Sequence, residues 1–252
     1  MSKEIVKKQA ADLEEVRVGR GFEKVDMEEV SMPVAKLLQP ISEEVSLEDY
    51  DFKAGQLIHS LLFERLSDAF VPVMLSNSNV LLTPKNDAQR ASVKAMLNLT
   101  DEDMDSPVIC KAPNSKVGDR FGACAECGLN KWRGSEKPIC TSFINVLSLF
   151  EGQDFPVVLR FGNTSYKHGK KFRDMALFGT TLQTPDLFNR KYRVVVAKKT
   201  EAGNTWFELT VKPGGLSSDE EYQKAEALYN QFAKATIVVD EHTEEEKPAS
   251  EY

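Results

Sequence analysis

All four cysteines of this 252-residue chain fall between residues 110 and 140, spaced Cys110-x13-Cys124-x2-Cys127-x12-Cys140. Two residues between Cys124 and Cys127 let both thiolates reach one ion from a tight turn, and Gly122 and Gly128 on either side give that turn backbone freedom. With Cys110 and Cys140 they make a tetrahedral four-thiolate set, and the chemistry this implies is a structural Zn2+ site. An iron-sulfur centre, a redox CxxC pair and unconnected thiols are the alternatives. Iron-sulfur ligands are usually more clustered, and a redox pair has no need of two further cysteines. The run VIC before the first thiol and ICTSFINV around the last read as strands, so the expected local structure is a zinc ribbon closed by these two strands.

Lys131, Trp132 and Arg133 lie on the loop that such an ion would stiffen. A ring between two cations can stack on a base while neutralising phosphates; the other reading is that Trp132 packs over the metal as a small local core. A second concentration of the same chemistry follows. Arg160, Lys167, Lys170, Lys171, Arg173 and Arg193 alternate with Phe161, Tyr166 and Tyr192, and Trp206 follows. Cations that track a phosphate backbone and rings that stack on unpaired bases are what single-strand recognition requires. The charge balance agrees with this. Residues 110–199 hold 16 Lys and Arg against 7 Asp and Glu, whereas the chain as a whole carries −7. A basic centre within an acidic protein points to a polyanionic partner.

Enzymatic motifs are missing. In VVLRFGNTSYKHGKK six residues separate Gly162 from Gly169, and Lys171 stands where a phosphate loop needs Ser or Thr for magnesium. A zinc deaminase needs His-x-Glu and Pro-Cys-x-x-Cys, but Ser60 and Leu61 follow His59, and Ala123 precedes Cys124. No G-x-S-x-G occurs, and His59, His168 and His242 have no evident catalytic partner. A non-enzymatic protein is expected.

The elements that must position these residues are short. Residues 3–17 space Ile5, Val6, Leu13 and Val16 as a helix would, giving an N-terminal arm over 1–29. One helix is expected near Leu57–Leu66, another over 87–98, then an acidic loop, DEDMDS. Strands are expected at 142–150, 156–161, 192–198 and 206–212, the last two joined as a hairpin through Glu201-Ala-Gly-Asn204, where Gly and Asn tolerate positive φ. The run Met175–Phe178 reads as a buried strand. Ser218 and Glu221 form a capping box for a helix to about Ala235, with Tyr222, Ala225, Leu228, Tyr229 and Phe232 on its apolar face. Residues 240–252 carry six acids and one Lys and are too polar to fold. With no unbroken apolar run at its start, the chain is expected to have neither signal peptide nor membrane span and to be cytoplasmic, in a bacterial host if the gene is a phage's.

The cysteine layout, the basic aromatic stretch and the acidic C-terminus together resemble the phage-type zinc-containing single-stranded DNA-binding proteins. The pair Cys124-Ala-Glu-Cys127, the Trp132 loop and Pro138-Ile-Cys140 also resemble the C…CxxC…W…PxC layout of other phage zinc-ribbon proteins. The T-even phage members use a mixed His and Cys set, whereas four cysteines suffice here. The resemblance implies an α+β fold: an OB-like antiparallel β-barrel core over 30–239, a zinc ribbon inserted at about 108–142, flanking helices and a disordered acidic tail. It also implies a sequence-tolerant single-stranded DNA-binding function in phage or plasmid replication and recombination. Replication or recombination proteins would then be recruited through Glu244, Glu245, Glu246, Glu251 and Tyr252, and the tail would compete with DNA as an internal decoy. The rival reading is a zinc-ribbon module that docks on RNA polymerase or another protein to regulate transcription. A nuclease that uses the ribbon as a clamp is a third.

Overall fold

The computed structural model describes residues 32–132, 134–179 and 185–233. The expected arm at 1–29 and tail at 240–252 lie outside them. In chain order the elements are β1 (Ala35–Leu37), β2 (Leu57–His59), β3 (Ala69–Leu82), α1 (Asp87–Leu97), α2 (Asp101–Asp105), β4 (Val108–Ala112), β5 (Val117–Gly118), β6 (Gly122–Ala123), α3 (Cys124–Cys127), β7 (Thr141–Phe150), β8 (Val157–Phe161), α4 (Tyr166–Gly179), β9 (Arg190–Glu201), β10 (Asn204–Leu216) and α5 (Asp219–Phe232).

The main sheet runs β10-β9-β3-β7-β8, and β4 adds to the far end of β3. Its pairings are antiparallel. Residues 143–150 and 157–161 are buried without interruption, because helices cover both faces. Alternation along the strands divides the core. Ile144, Val146, Val157, Leu159 and Phe161 meet Phe172 and Ala176 of α4, while Leu147 and Val158 meet Ala225 and Phe232 of α5. Helix α4 lies so close to the sheet that a Cβ at Gly169 would come 2.6 Å from Phe161 Cβ, which only glycine avoids.

The expected barrel does not form. The path of paired strands ends at β10 on one side and β8 on the other, and those two strands do not pair. The segment before and after β1 spans the gap instead. Val34 bridges Val158, and the Gln39 amide donates to Phe207 O (3.1 Å) and accepts from Phe207 N (2.9 Å), occupying the outer edge of β10. The protein is α+β with open antiparallel sheets.

The expected ribbon is absent too. The two strands that should have closed it, β4 and β7, do not touch as a pair because β3 lies between them. Asn79 is registered with Ala112 of β4 on one edge and Ser142 of β7 on the other. Among the described residues no group of three or more His, Cys, Asp or Glu side chains is gathered as a ready metal-ligand set.

Three local expectations also change. The segment from Leu57 forms β2 and a tight turn rather than a helix, since the buried His59 ring takes the amides of Leu61 and Leu62 on Nδ1 (3.2 and 3.1 Å) and holds the chain in the turn. The acidic DEDMDS is helix α2, started by a capping box between Thr100 and Asp103. Met175–Phe178 ends α4, and Leu177 and Phe178 face outward. No helix among the described residues is long and apolar enough to cross a membrane.

Candidate metal centre and nucleic-acid interface

Between β3 and β7 the chain builds a lobe with its own small core of Leu81, Val93, Leu99, Met104, Ile109, Cys110 and Leu129. The cysteine pair occupies the single turn of α3. That turn closes at Gly128, whose φ of 67° lets its amide reach Cys124 O at 3.1 Å. Cys140 enters from the other side, its amide donating to Leu129 O at 3.1 Å. Cys110, on β4, faces the loop joining β5 and β6, whose Arg120 and Phe121 amides and Asp119 carboxylate lie beside its sulfur. All four thiols border one cavity of about 20 Å³, together with Leu81, Phe121 and Leu129. Burial first, and then the neighbouring Cys110, Cys124 and Cys127, push the Cys140 thiol up to about 12. Burial raises Cys110 as well. Four thiols bordering one enclosed space are the donor chemistry of a soft cation, although among the described residues no three such side chains gather as a ligand set.

Trp132 is 62% exposed and leaves the plugging of the lobe to Leu129 and Phe121, which decides against Trp132 as a local core. Beside it Lys131 is exposed, its Nζ donating to Ala125 O at 3.1 Å, so the cation rides on the cysteine turn. Arg133 lies outside the described residues.

The basic aromatic stretch separates into two populations. Phe161 and Tyr192 are core rings packed around Phe172, at centroid distances of 6.2 and 5.0 Å, and cannot stack on a base. Arg160 is buried, its guanidinium 3.5 Å from the centre of the Phe143 ring. Lys167, Lys170, Lys171 and Arg173 are exposed on α4. Lys170 reaches over the half-buried Tyr166 ring at 5.3 Å, and Arg173 pairs with its neighbour Asp174 at 3.0 Å. Arg193 is exposed and pairs with Asp68 at 3.4 Å.

Glu208 links this helix to the hairpin. Its buried carboxylate lies 3.3 Å from His168 Nε2, 3.4 Å from Trp206 Nε1 and 3.7 Å from Lys167 Nζ. Burial pushes Glu208 up, but the hydrogen bonds from His168 and Trp206 and the Lys167 charge outweigh it and hold the carboxyl below its ordinary value. Sequence reasoning did not single out His168 or Glu208 as site residues, nor Lys198 and Lys199, which are exposed near the hairpin tip. The hairpin register supplied a signal, since it sets Lys199 opposite Trp206.

The two cationic regions adjoin the same end of the sheet. Cys140 immediately precedes β7, and three residues into that strand Ile144 pairs with Phe161, after which the chain turns into α4. The tail residues Glu244, Glu245, Glu246, Glu251 and Tyr252 lie outside the described residues.

No curated protein and no solved structure matches the chain. A family model described as Pam3 phage gp34-like protein matches residues 3–238, nearly its whole length. The chain is therefore a member of the Pam3 phage gp34-like protein family.

Proposed function

We propose that this protein is a non-enzymatic, sequence-tolerant single-stranded DNA-binding protein that serves phage or plasmid replication and recombination in a host cytoplasm. The observation that carries the reading is the face on which α4 and the β9–β10 hairpin meet. Exposed Lys167, Lys170 and Lys171 of α4 and Lys199, opposite Trp206, there adjoin the partly buried rings of Tyr166 and Trp206. Flexible cations follow any phosphate backbone, and a π-face accepts any base, so such a surface reads strand character rather than sequence. Lys131 and Trp132 extend the same chemistry at the same end of the sheet. The acidic tail would compete for this face and, once displaced by DNA, recruit replication or recombination proteins.

Anisotropy titrations of a labelled oligo(dT) test the reading. Trp206→Ala and Tyr166→Ala each should cost about 1–3 kcal/mol of binding. Lys167→Ala and Lys170→Ala should weaken binding and reduce the salt slope by about 1 each. Lys224→Ala, on the helix that covers the opposite sheet face, should change nothing. Affinity insensitive to all four substitutions near α4 would refute the assignment of the face. A second reading, docking of the cysteine lobe on RNA polymerase or another protein, draws on the exposed Val117 and Trp132 of that lobe. It predicts that Val117→Ser and Trp132→Ser abolish a protein contact and leave oligo(dT) binding intact.

A further inference from the structure

We propose that Cys110, Cys124, Cys127 and Cys140 bind one soft divalent cation, zinc by preference, and that Gly118, Arg120 and Asp103 form a cradle that presets Cys110 as its first ligand. The site is independent of the DNA-binding reading. The four thiols come from three places in the chain, the strand β4, the turn α3 and the lead into β7, yet all border one cavity whose other walls are largely apolar. None is paired in a disulfide. Four sulfurs around an enclosed space select a thiophilic ion of tetrahedral preference over a hard, oxygen-seeking one. Asn130 also lines the cavity, and its Oδ1 is buried without a hydrogen-bond partner among the described residues.

The cradle is the better-defined half. The backbone amides of Arg120 and Phe121 lie beside the Cys110 sulfur, and so does the Asp119 carboxylate. The amides favour a thiolate there and the carboxylate opposes it. The loop approaches so closely that a Cβ at Gly118 would stand 2.7 Å from Cys110 Sγ. Its position is fixed from outside the cysteine set. Arg120 pairs with Asp103 at 2.8 Å, and Asp103 is itself bound into the capping box of α2. Asp119 accepts the Lys111 amide at 2.9 Å and returns its own to Lys111 O at 3.0 Å. A helix of the lobe core thus sets the angle at which β4 offers its sulfur. The pair on α3 supplies two more donors from one turn, and Cys140 closes the set.

The test uses the full chain purified under reducing conditions. Elemental analysis should give about one zinc per chain, and cobalt exchanged into the stripped protein should show the thiolate charge-transfer and tetrahedral d–d bands of a four-sulfur site. Gly118→Ala and Arg120→Ala should each lower zinc affinity about 10–100-fold against a chromogenic chelator. Arg120→Lys, which keeps the ion pair, should restore most of it, and near-ultraviolet circular dichroism should show the sheet aromatics unchanged in all three. A chain that carries iron, or takes up neither zinc nor cobalt, overturns the site. Tight zinc binding unchanged in both Gly118→Ala and Arg120→Ala overturns the cradle and leaves a plain four-thiol centre.

Discussion

The sheet and the cysteine lobe are built on opposite principles. In the sheet, Phe70, Phe150, Phe161, Phe172 and Tyr192 form one ring cluster with centroids 5.0–6.2 Å apart, sealed between the strands and α4. In the lobe a small apolar core is framed by two-residue strands, a single helical turn and capping contacts. Apolar burial alone accounts for the first. The second has too little of it to stand by itself and depends on polar ties that cross between short segments. The same contrast governs what each offers a ligand. Rings in the sheet are consumed by the core, and the lobe, with little core to fill, leaves Trp132 in solvent.

Substitutions can break this comparison. Phe172→Ala should cost about 3–5 kcal/mol and unfold sheet and lobe together in a thermal melt, since α4 seals the central cluster. Leu129→Ala should cost about 2–4 kcal/mol locally. Hydrogen exchange should then rise across 108–140 while amides of β7 beyond Ile144 stay protected. If Leu129→Ala lowers the whole melting transition as Phe172→Ala does, the two regions are one cooperative unit and the contrast fails.

Acid should separate the regions in order. Burial, opposed by Glu64, lowers His59, whose neutral Nδ1 holds the Leu61–Leu62 turn. A depressed folded-state value means that this group's stabilisation is complete above its unfolded value of 6.5 and is lost as pH falls below it. Exchange at residues 59–63 should therefore rise first. In the lobe, the backbone hydrogen bond from Thr100 and then the Arg120 side chain hold Asp103 at about 2 against an ordinary 3.8. Its contribution is present above 3.8 and goes last, as pH falls toward 2. Simultaneous loosening of both sites would contradict the assignment.

The smallest effect lies at the hairpin tip. Ala202 adopts φ of 48° and Gly203 81°, so the turn positions fall one residue earlier than Gly and Asn. Ala202→Gly should gain about 1 kcal/mol by removing the Cβ from a left-handed position. A loss of stability would mean the tip is shaped by contacts other than its own dihedrals.

Local sequence signals carried some of this structure well and failed where neighbours decide. The strands at β7–β10 and the capping box at Ser218 and Glu221 were legible because period-two alternation and caps act within a few residues. Closure was not, since nothing in β8 or β10 says whether Gln39 will occupy an edge. The ribbon failed for the same reason. VIC and ICTSFINV are strands, but β3, some 30 residues upstream of the first, inserts between them. At the candidate interface, composition placed cations and rings in one stretch, and pairing then sent Phe161 and Tyr192 inward and left Tyr166 half-buried. Glu208 escaped notice because a single acid within a strand carries no local signature; its role depends on His168 and Lys167 of a distant helix.

Titration of the full chain with labelled oligo(dT) and with duplex of equal length, at low and high salt, tests the central claim most directly. The account predicts tighter binding to the single strand, with affinity for it falling steeply as salt rises. Equal affinity for both forms, or no binding to oligo(dT) at low salt, would contradict it.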